Sequence, residues 1–183
     1  MLSKTTYEDA RRRALDLYEK AGIILTPAEK ENLEVADFGL GELNRTGLQL
    51  ITYVNTQRCC AKEMALFPGQ TCPEHTHKPL PEAGYPGKEE TFRCRYGAVY
   101  LYVAGESAAV PACAAPEGSE AFYTVWHEVV LRPGEQYTME PDTLHWFQAG
   151  PEGAVISEFS TRSFDEYDIF TDPRIQRIPV VEG

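Results

Sequence analysis

Positive charge is scarce in this sequence, and long apolar runs are missing from it. Its 183 residues include 17 Lys and Arg against 28 Asp and Glu, a formal net charge of −11 at pH 7. Nucleic acids and anionic membrane surfaces bind basic faces, so this balance disfavours both as partners. No segment approaches the roughly 18 consecutive apolar residues that a membrane span needs. The charged N-terminus also lacks the apolar core of a secretory signal.

Cysteine is present in small number and without a pairing pattern. The five cysteines are Cys59, Cys60, Cys72, Cys94 and Cys113. An odd number without Cys-x-x-Cys spacing argues against a disulfide scaffold and a zinc ribbon. Free thiols in a reducing compartment are the simplest explanation, and they predict a cytoplasmic protein.

Helix signals are concentrated at the N-terminus. Thr5-x-x-Glu8 has the pattern of a capping box and predicts the start of a first helix, which Gly22 would end. Thr26-Pro27-Ala28-Glu29 predicts the start of a short second helix, with proline at its first position. We therefore expect residues 1–35 to form a helical extension.

After Gly47 the composition changes to that of a β protein. The segments rich in β-branched and aromatic residues are 47–54, 58–67, 97–104, 121–131, 135–140 and 153–161. Turn signals separate them, and residues 78–88 and 105–119 are predicted to be loops. Short strands at this spacing, without long helices between them, favour an antiparallel sandwich or small barrel over residues 45–183. We predict one mainly β domain over residues 1–183.

Three of the four histidines and one glutamate form a candidate metal-binding set. His75 and His77 are two residues apart, so in a strand both imidazoles project to the same face. His145 follows a Pro-Gly turn and one strand, and Glu90 lies seven residues before Gly97. The set suits an octahedral divalent ion with two positions open to substrate or water, and imidazole is a good ligand for Mn, Fe, Ni, Cu or Zn.

Two segments of the chain resemble the two cupin motifs. Gly69-x5-His75-x-His77 followed by Glu90-x6-Gly97 is similar to the first motif. Pro133-Gly134 followed by Pro141-x3-His145 is similar to the second, although the usual internal glycine is missing at Asp142-Thr143.

Within the cupins the sequence resembles the D-lyxose isomerases, from about residue 22 almost to the C-terminus. The matching blocks, in order, are Asp37-Phe38-Gly39, Gly47-Leu48, Lys62-Glu63-Met64, Lys88-x-Glu90, Leu131-Arg132-Pro133-Gly134-Glu135, His145-Trp146-Phe147, Glu158-Phe159-Ser160 and Asp168-Ile169-Phe170. The chain departs from the family in a longer loop at 78–87 and in Asp168-Ile169, where an Asp-Asn pair is expected.

The resemblance implies a cupin fold, a double-stranded β-helix or jelly-roll barrel, and an aldose–ketose isomerase that acts on a free monosaccharide. The family interconverts D-lyxose with D-xylulose, and D-mannose with D-fructose, usually with Mn²⁺; Zn²⁺, Fe²⁺, Co²⁺ or Ni²⁺ could replace it. A homodimer is also implied. The residues implied are the metal ligands His75, His77, Glu90 and His145, the acid/base pair Lys88 and Glu158, and substrate contacts at Asp168, Phe92 and Phe147.

The residues themselves agree with this acid/base pair. Lys88 lies two residues before Glu90, so strand parity sends both side chains to the same side. A cation beside a metal ion should have its pKa pushed down, which would make Lys88 a usable acid/base. Glu158 lies within an apolar strand, where a carboxylate is costly without a metal, a lysine or a substrate as partner.

The residues alone leave several assignments open. Glu89 could replace Glu90 as the ligand, and Glu158 could be a structural carboxylate bonded to Ser160. A sugar-phosphate isomerase needs cations in its pocket, but Arg93 and Arg95 are an odd number of residues from Glu90 and should point outward. In that parity Phe92 and Cys94 point inward, unless a β-bulge intervenes.

Two further hypotheses for the function are an Fe²⁺-dependent cupin dioxygenase and a sugar-binding or regulatory cupin. A dioxygenase would need neither Lys88 nor Glu158, and a binding module would have no need of an open metal site. The fourth histidine, His127, lies away from both motifs and is predicted to be structural or interfacial.

Overall fold

The structure, a computed structural model, describes residues 2–180. Two α-helices come first, α1 (Lys4–Lys20) and α2 (Pro27–Glu31). Nine strands follow: β1 (Glu34–Ala36), β2 (Leu48–Asn55), β3 (Cys60–Leu66), β4 (Thr71–Thr76), β5 (Glu90–Val103), β6 (His127–Leu131), β7 (Gln136–Met139), β8 (His145–Ser160) and β9 (Ile169–Phe170). Short 3₁₀ turns lie at Pro81–Ala83, Glu120–Phe122 and Asp165–Tyr167. Neither α-helix of this described part has the length and apolar character of a membrane span.

The strands form one strongly curled, mainly antiparallel sheet. Its order is β1-β2-β3-β8-β4-β9, and β5 pairs with β6, β7 and β8. The two long strands β5 and β8 run antiparallel along most of their length, and their register shifts twice, around Arg95 and around Ala98. Gly97 lies between these shifts with a φ of +69°, and a Cβ there would come within 2.0 Å of the Gly153 carbonyl oxygen. Glycine therefore allows the two strands to approach each other where the sheet bends.

The sheet has two buried faces. Its concave face encloses the main apolar core, with Leu101, Phe92 and Phe147 among the residues buried there. On the convex face α1 packs with Ala10, Ala14, Leu17 and Tyr18 against β1, β2, β3 and β8. The Tyr18 hydroxyl donates to the carbonyl oxygens of Gln49 and Glu63, at 3.2 and 2.8 Å, and so ties the helix to the sheet.

The mainly β fold with a helical N-terminus is confirmed, and so is the second helix start. Thr26 and Glu29 cap each other reciprocally at the start of α2, with Pro27 at its first position. The first start is wrong: the cap of α1 is Ser3, whose hydroxyl accepts from the backbone N–H of Thr6. Ser3 and Thr5 both carry a hydroxyl, but Ser3 is the residue immediately before the helix and therefore takes the capping role.

Several strand boundaries also differ from the predicted segments. β5 begins at Glu90 rather than at residue 97, and β8 begins at His145 rather than at residue 153. The added stretches begin with the buried polar residues Glu90 and His145, and most residues of β4 are polar, which obscures the apolar alternation of a strand. Of the predicted strand 121–131, only the end from His127 is extended. The assignment of residues 1–183 to a single domain stays a prediction. Residues 1 and 181–183 of that range lie outside the described residues.

Candidate metal centre and active site

The three histidines of the candidate set meet at the inner face of the sheet. His75 is on β4 and His145 begins β8, and the two are direct register partners across these strands. His77 follows the end of β4, where it faces the same way as His75. One nitrogen from each of the three imidazoles lies within 4.8 Å of the others, and all three side chains are buried.

Hydrogen bonds set the orientation of all three imidazoles in the same way. The Nδ1 atoms of His75 and His145 lie 2.8 and 2.9 Å from the carbonyl oxygens of Pro73 and Thr143. Nδ1 of His77 lies 2.5 Å from Oδ1 of Asp168. Since a carbonyl oxygen only accepts, Nδ1 carries the proton in His75 and His145, which leaves Nε2 as the lone-pair atom.

These imidazoles fit a metal ion. Nε2 of His145 is buried and has no hydrogen-bond partner in the part of the chain that the structure describes. A buried nitrogen lone pair without a partner is costly, and a metal ion would satisfy it. The backbone and carboxylate partners at Nδ1 are the outer contacts that usually orient metal-binding histidines.

Glu90, and not Glu89, is the carboxylate at the histidines. Its Oε1 lies 3.3 Å from Nε2 of His77 and 3.2 Å from Nε2 of His145. Glu89 is exposed, and its backbone N–H donates to the Thr161 hydroxyl. The structure thus brings the four predicted ligands together. Three imidazoles and one carboxylate suit divalent first-row metals without selecting one of them.

The protein's own charges favour neutral imidazoles at His75 and His145, a protonated imidazole at His77 and an ionised carboxylate at Glu90. Burial, with the neighbouring histidines, holds the pKa of His75 well below its ordinary value, and burial also lowers the pKa of His145. Burial would lower the pKa of His77 as well, but Glu90 and Asp168 outweigh it and raise that pKa to about 9. Burial would raise the pKa of Glu90, but Lys88 and His77 hold it well below its usual range.

Lys88 connects Glu90 to Glu158. Its Nζ lies 2.8 Å from Oε2 of Glu90 and 2.6 Å from Oε1 of Glu158, and all three side chains are buried. The same oxygen of Glu158 also accepts from the Ser160 hydroxyl at 3.0 Å. Burial would lower the pKa of Lys88, but Glu158 and Glu90 raise it well above its ordinary value. With the protein's own charges the direction is thus opposite to the one expected, because that expectation omitted the two carboxylates.

The predicted substrate contacts lie around the same cavity. Phe92 and Phe147 line it and pack edge to face, with ring centroids 5.0 Å apart. Asp168 lines the cavity too, but its Oδ1 contacts His77, so the structure places this carboxylate beside a candidate ligand. His127 is at the start of β6, where its Nδ1 lies 3.0 Å from the Glu106 carbonyl oxygen.

The parity prediction on β5 agrees with the structure. Phe92 and Cys94 are buried in the main core, whereas Arg93 reaches Gln136 on the outer side and Arg95 is exposed. The register shift on β5 begins only after Cys94, so it does not disturb the alternation back to Glu90.

Sequence reasoning missed three charged side chains that line the same cavity: Lys62, Asp165 and Arg177. For Lys62 the sequence did offer a signal: it is a lysine on the face of β3 whose other residues are apolar, which indicates a buried cation. Asp165 and Arg177 lie in the irregular C-terminal segment, where no local pattern marks a side chain as inward. Their proximity to Lys62 depends on the path of the chain alone.

The missing glycine of the second cupin motif is explained by Asp142. This residue adopts a left-handed backbone, with a φ of +63°, which aspartate tolerates better than most residues. Its Oδ1 accepts a hydrogen bond from the Thr76 hydroxyl at 2.8 Å. Thr76 lies between His75 and His77, and Thr143 supplies the carbonyl that orients His145. Asp142 therefore links the two segments that carry the histidines.

Fold and site together define a cupin-like protein, and comparisons with known proteins specify its family. A family profile described as D-lyxose isomerase matches residues 28–183. The chain is 64% identical over 182 residues to a D-lyxose/D-mannose isomerase of Thermosediminibacter oceani, covering 100% of this chain and 99% of the relative. It is also 64% identical over 178 residues to a D-lyxose ketol-isomerase of Cohnella laeviribosi, covering 97% of each. The chain belongs to the D-lyxose isomerase family and is an enzyme of the aldose–ketose isomerase class.

Solved structures agree on the fold. An L-ribose isomerase of Acinetobacter sp. DL28, in complex with L-ribose, superposes with a TM-score of 0.80 at 18% identity, covering 99% of this chain and 98% of the other. The L-ribose isomerase of Cellulomonas parahominis without ligand gives a TM-score of 0.77 at 19% identity and covers 94% of each chain. At such low identity the likeness extends to the fold and no further.

Proposed function

We propose that this protein is a metal-dependent isomerase that interconverts D-lyxose with D-xylulose, and D-mannose with D-fructose, through a cis-enediolate. The observation that carries the proposal is the continuous contact from the imidazoles to Glu90, from Glu90 to Lys88, and from Lys88 to Glu158. This contact supports the proposal, because the side chains proposed as the acid/base pair lie beside the residues proposed to hold the metal, in a buried cavity. The names of the relatives at 64% identity support the choice of sugars.

His75, His77, Glu90 and His145 are the residues that would hold the divalent ion. When bound, the ion would stabilise the negative charge that develops on the sugar oxygens. Manganese is the proposed ion on the family resemblance, since this ligand set accepts several divalent metals.

The carboxylate of Glu158 carries the proton between carbons. Its Oε1 is engaged by Lys88 and Ser160, which directs Oε2 toward proton transfer. Glu158 removes the proton from C2 of the aldose and returns it to C1, while Lys88 gives a proton to O1 and recovers one from O2. Both residues end in their starting protonation state, and the sugar is converted from aldose to ketose.

Charge pairing favours this function over a sugar-phosphate isomerase. The two further cations of the cavity are each held by carboxylates: Lys62 by Asp165, and Arg177 by Asp165 and Glu34. A phosphate would have to displace these partners, whereas a neutral sugar would not. A dioxygenase has no use for a buried Lys88–Glu158 pair, which is costly to bury.

We also propose a homodimer in the cytoplasm. The five cysteines are all free thiols in the structure, which is compatible with a reducing compartment. The homodimer rests on the family resemblance, since cupins commonly pair through strands at a sheet edge.

The test is an assay on protein stripped of metal with EDTA, given D-lyxose with or without added Mn²⁺, in which D-xylulose is measured. Turnover that returns only with the metal supports the proposal. No ketose from D-lyxose or D-mannose with any divalent ion would sink it, and oxygen consumption would then test for a dioxygenase.

Two variants test the acid/base pair. Glu158→Gln and Lys88→Met should lower kcat by about 10²-fold or more while the bound metal, measured by elemental analysis, is retained. Glu89→Gln is the matched control, because this carboxylate is exposed and adjacent to the site. Full activity of the Glu158→Gln variant would remove Glu158 from the mechanism.

A further inference from the structure

A second group of charged side chains lines the cavity beside the acid/base pair. We call Lys62, Asp165 and Arg177 the distal cluster. Nζ of Lys62 lies 2.7 and 2.8 Å from the two carboxylate oxygens of Asp165. Nη2 of Arg177 lies 3.0 Å from Oδ2 of Asp165, and its Nη1 lies 2.5 Å from Oε1 of Glu34. The cluster therefore forms a polar wall within a cavity whose other walls include aromatic rings.

The register of the sheet places this wall next to the reacting end of the cavity. Lys62 on β3 is the direct partner of Glu158 on β8. Both side chains point inward and are buried, at 4% and 3% exposure. A sugar whose C1 and C2 lie at Glu158 and Lys88 would extend its remaining carbons along the cavity wall, where the neighbouring strand presents Lys62.

The charges of the distal cluster balance when its neighbour Glu34 is included. Lys62 and Arg177 contribute two positive charges, and Asp165 and Glu34 two negative ones. A balanced group of donors and acceptors matches a hydroxyl, which both donates and accepts hydrogen bonds, better than a phosphate. Each terminal nitrogen of Arg177 carries two N–H donors, so a contact to one carboxylate leaves it a second.

Anchoring of the C-terminal segment is a weaker explanation for the distal cluster. Burying an ion pair costs desolvation energy that its attraction often fails to repay, so apolar contacts would anchor this segment as well. The segment also has an attachment at the backbone of Ser163, whose hydroxyl accepts from Lys62 at 3.1 Å and donates to Asp165. Asn55 exchanges two hydrogen bonds with the backbone of Ser163, at 2.9 and 3.1 Å.

We propose that the distal cluster binds the hydroxyl group on C4 of the open-chain sugar and so selects its configuration. This inference rests on the proposed isomerase function. D-lyxose and D-mannose share the configuration at C2, C3 and C4, whereas L-ribose differs from D-lyxose at C4 alone. A hydrogen-bonding wall at C4 accepts the first two sugars together and rejects the third, because a misplaced hydroxyl loses its hydrogen bonds to the cluster and is itself buried without a partner.

The experiment compares kcat/KM for D-lyxose and for L-ribose in the metal-loaded wild type and in Lys62→Met. We expect the wild type to favour D-lyxose, and the variant to reduce the ratio of the two constants by about 10-fold or more. Lys62→Gln is a second variant in case Lys62→Met does not fold, and thermal unfolding checks both.

Asn55→Ala is the matched control, since it loosens the same C-terminal segment but does not line the cavity. It should leave the ratio unchanged within about twofold. A wild-type ratio near one, or a ratio that the Lys62 variants leave unchanged while turnover persists, overturns the inference and spares the isomerase proposal. Absence of turnover of D-lyxose in the wild type refutes the isomerase proposal, and this inference with it.

Discussion

The Asp168 carboxylate has been assigned two different roles, one from the sequence and one from the structure. The sequence predicts a substrate contact, whereas the structure places its Oδ1 2.5 Å from Nδ1 of His77. If the second contact is the functional one, Asp168 positions His77 by holding the proton on Nδ1 and pointing Nε2 at the metal position. Removing it should then weaken metal binding before it affects the sugar.

The size of the effect follows from the kind of contact. A short hydrogen bond to a buried carboxylate is charge-assisted and roughly twice as strong as a neutral one. Loss of such an outer partner typically costs 10- to 100-fold in metal affinity, and each tenfold corresponds to about 1.4 kcal/mol. Asp168→Asn keeps an oxygen acceptor without the charge, so we expect about tenfold weaker binding, and Asp168→Ala about 100-fold.

The assay is calorimetric titration of EDTA-stripped protein with Mn²⁺, together with KM for D-lyxose at saturating metal. Asp172→Asn is the control, because Asp172 lies in the same C-terminal segment but pairs with Arg174 at 2.6 Å, away from the cavity. Unchanged Mn²⁺ affinity in both Asp168 variants would refute the positioning role. A raised KM at unchanged affinity would instead support the substrate contact that the sequence predicts.

Two further predictions concern the backbone at the metal site and the thiols. Asp142→Ala should be less stable than Asp142→Gly by about 1 kcal/mol, because only glycine adopts the left-handed backbone of this position without strain; urea denaturation measures the difference, and an equal or greater stability of the alanine variant would contradict it. In the native protein at pH 8, Ellman's reagent should react rapidly with one thiol per chain, that of the exposed Cys59, and with none in Cys59→Ser. The other four are Cys60, Cys72, Cys94 and Cys113, where burial raises the thiol pKa, to about 11 for the last two. Rapid labelling of a second thiol would show that one of these sites is open.

Parts of the site that depend on short spacings could be predicted from the sequence. A strand alternates its side chains every two residues, so His75 and His77 face one way, and so do Lys88 and Glu90. The interval to Gly97 and the face shared with Lys88 favour Glu90 over Glu89, but only the structure excludes Glu89, which is exposed. Capping at Thr26 is equally local, because the two groups that satisfy each other are three residues apart.

Parts that depend on distant contacts could not be predicted. Lys62 and Asp165 are 103 residues apart in sequence, and Asp165 lies in a 3₁₀ turn without a pattern that marks it as inward. The role of Asp168 beside His77 likewise depends on where the segment after β8 crosses the sheet. The cap of α1 at Ser3 was missed because the hydroxyl of Thr5, two residues later, offers the same local signal.

The sequence by itself predicted a mainly β fold from its turn and strand patterns, which depend on neighbouring residues. The resemblance to the D-lyxose isomerases implied the four candidate metal ligands and the candidate acid/base pair, and strand parity agrees with that assignment. Only the tertiary structure decided which charges neutralise one another in the cavity. Lys88 between two carboxylates, His77 against Asp168, and Lys62 and Arg177 around Asp165 arise from strand register and from the return of the C-terminal segment. Electrostatic energy depends on distance in space, and that distance is established only when the chain has folded.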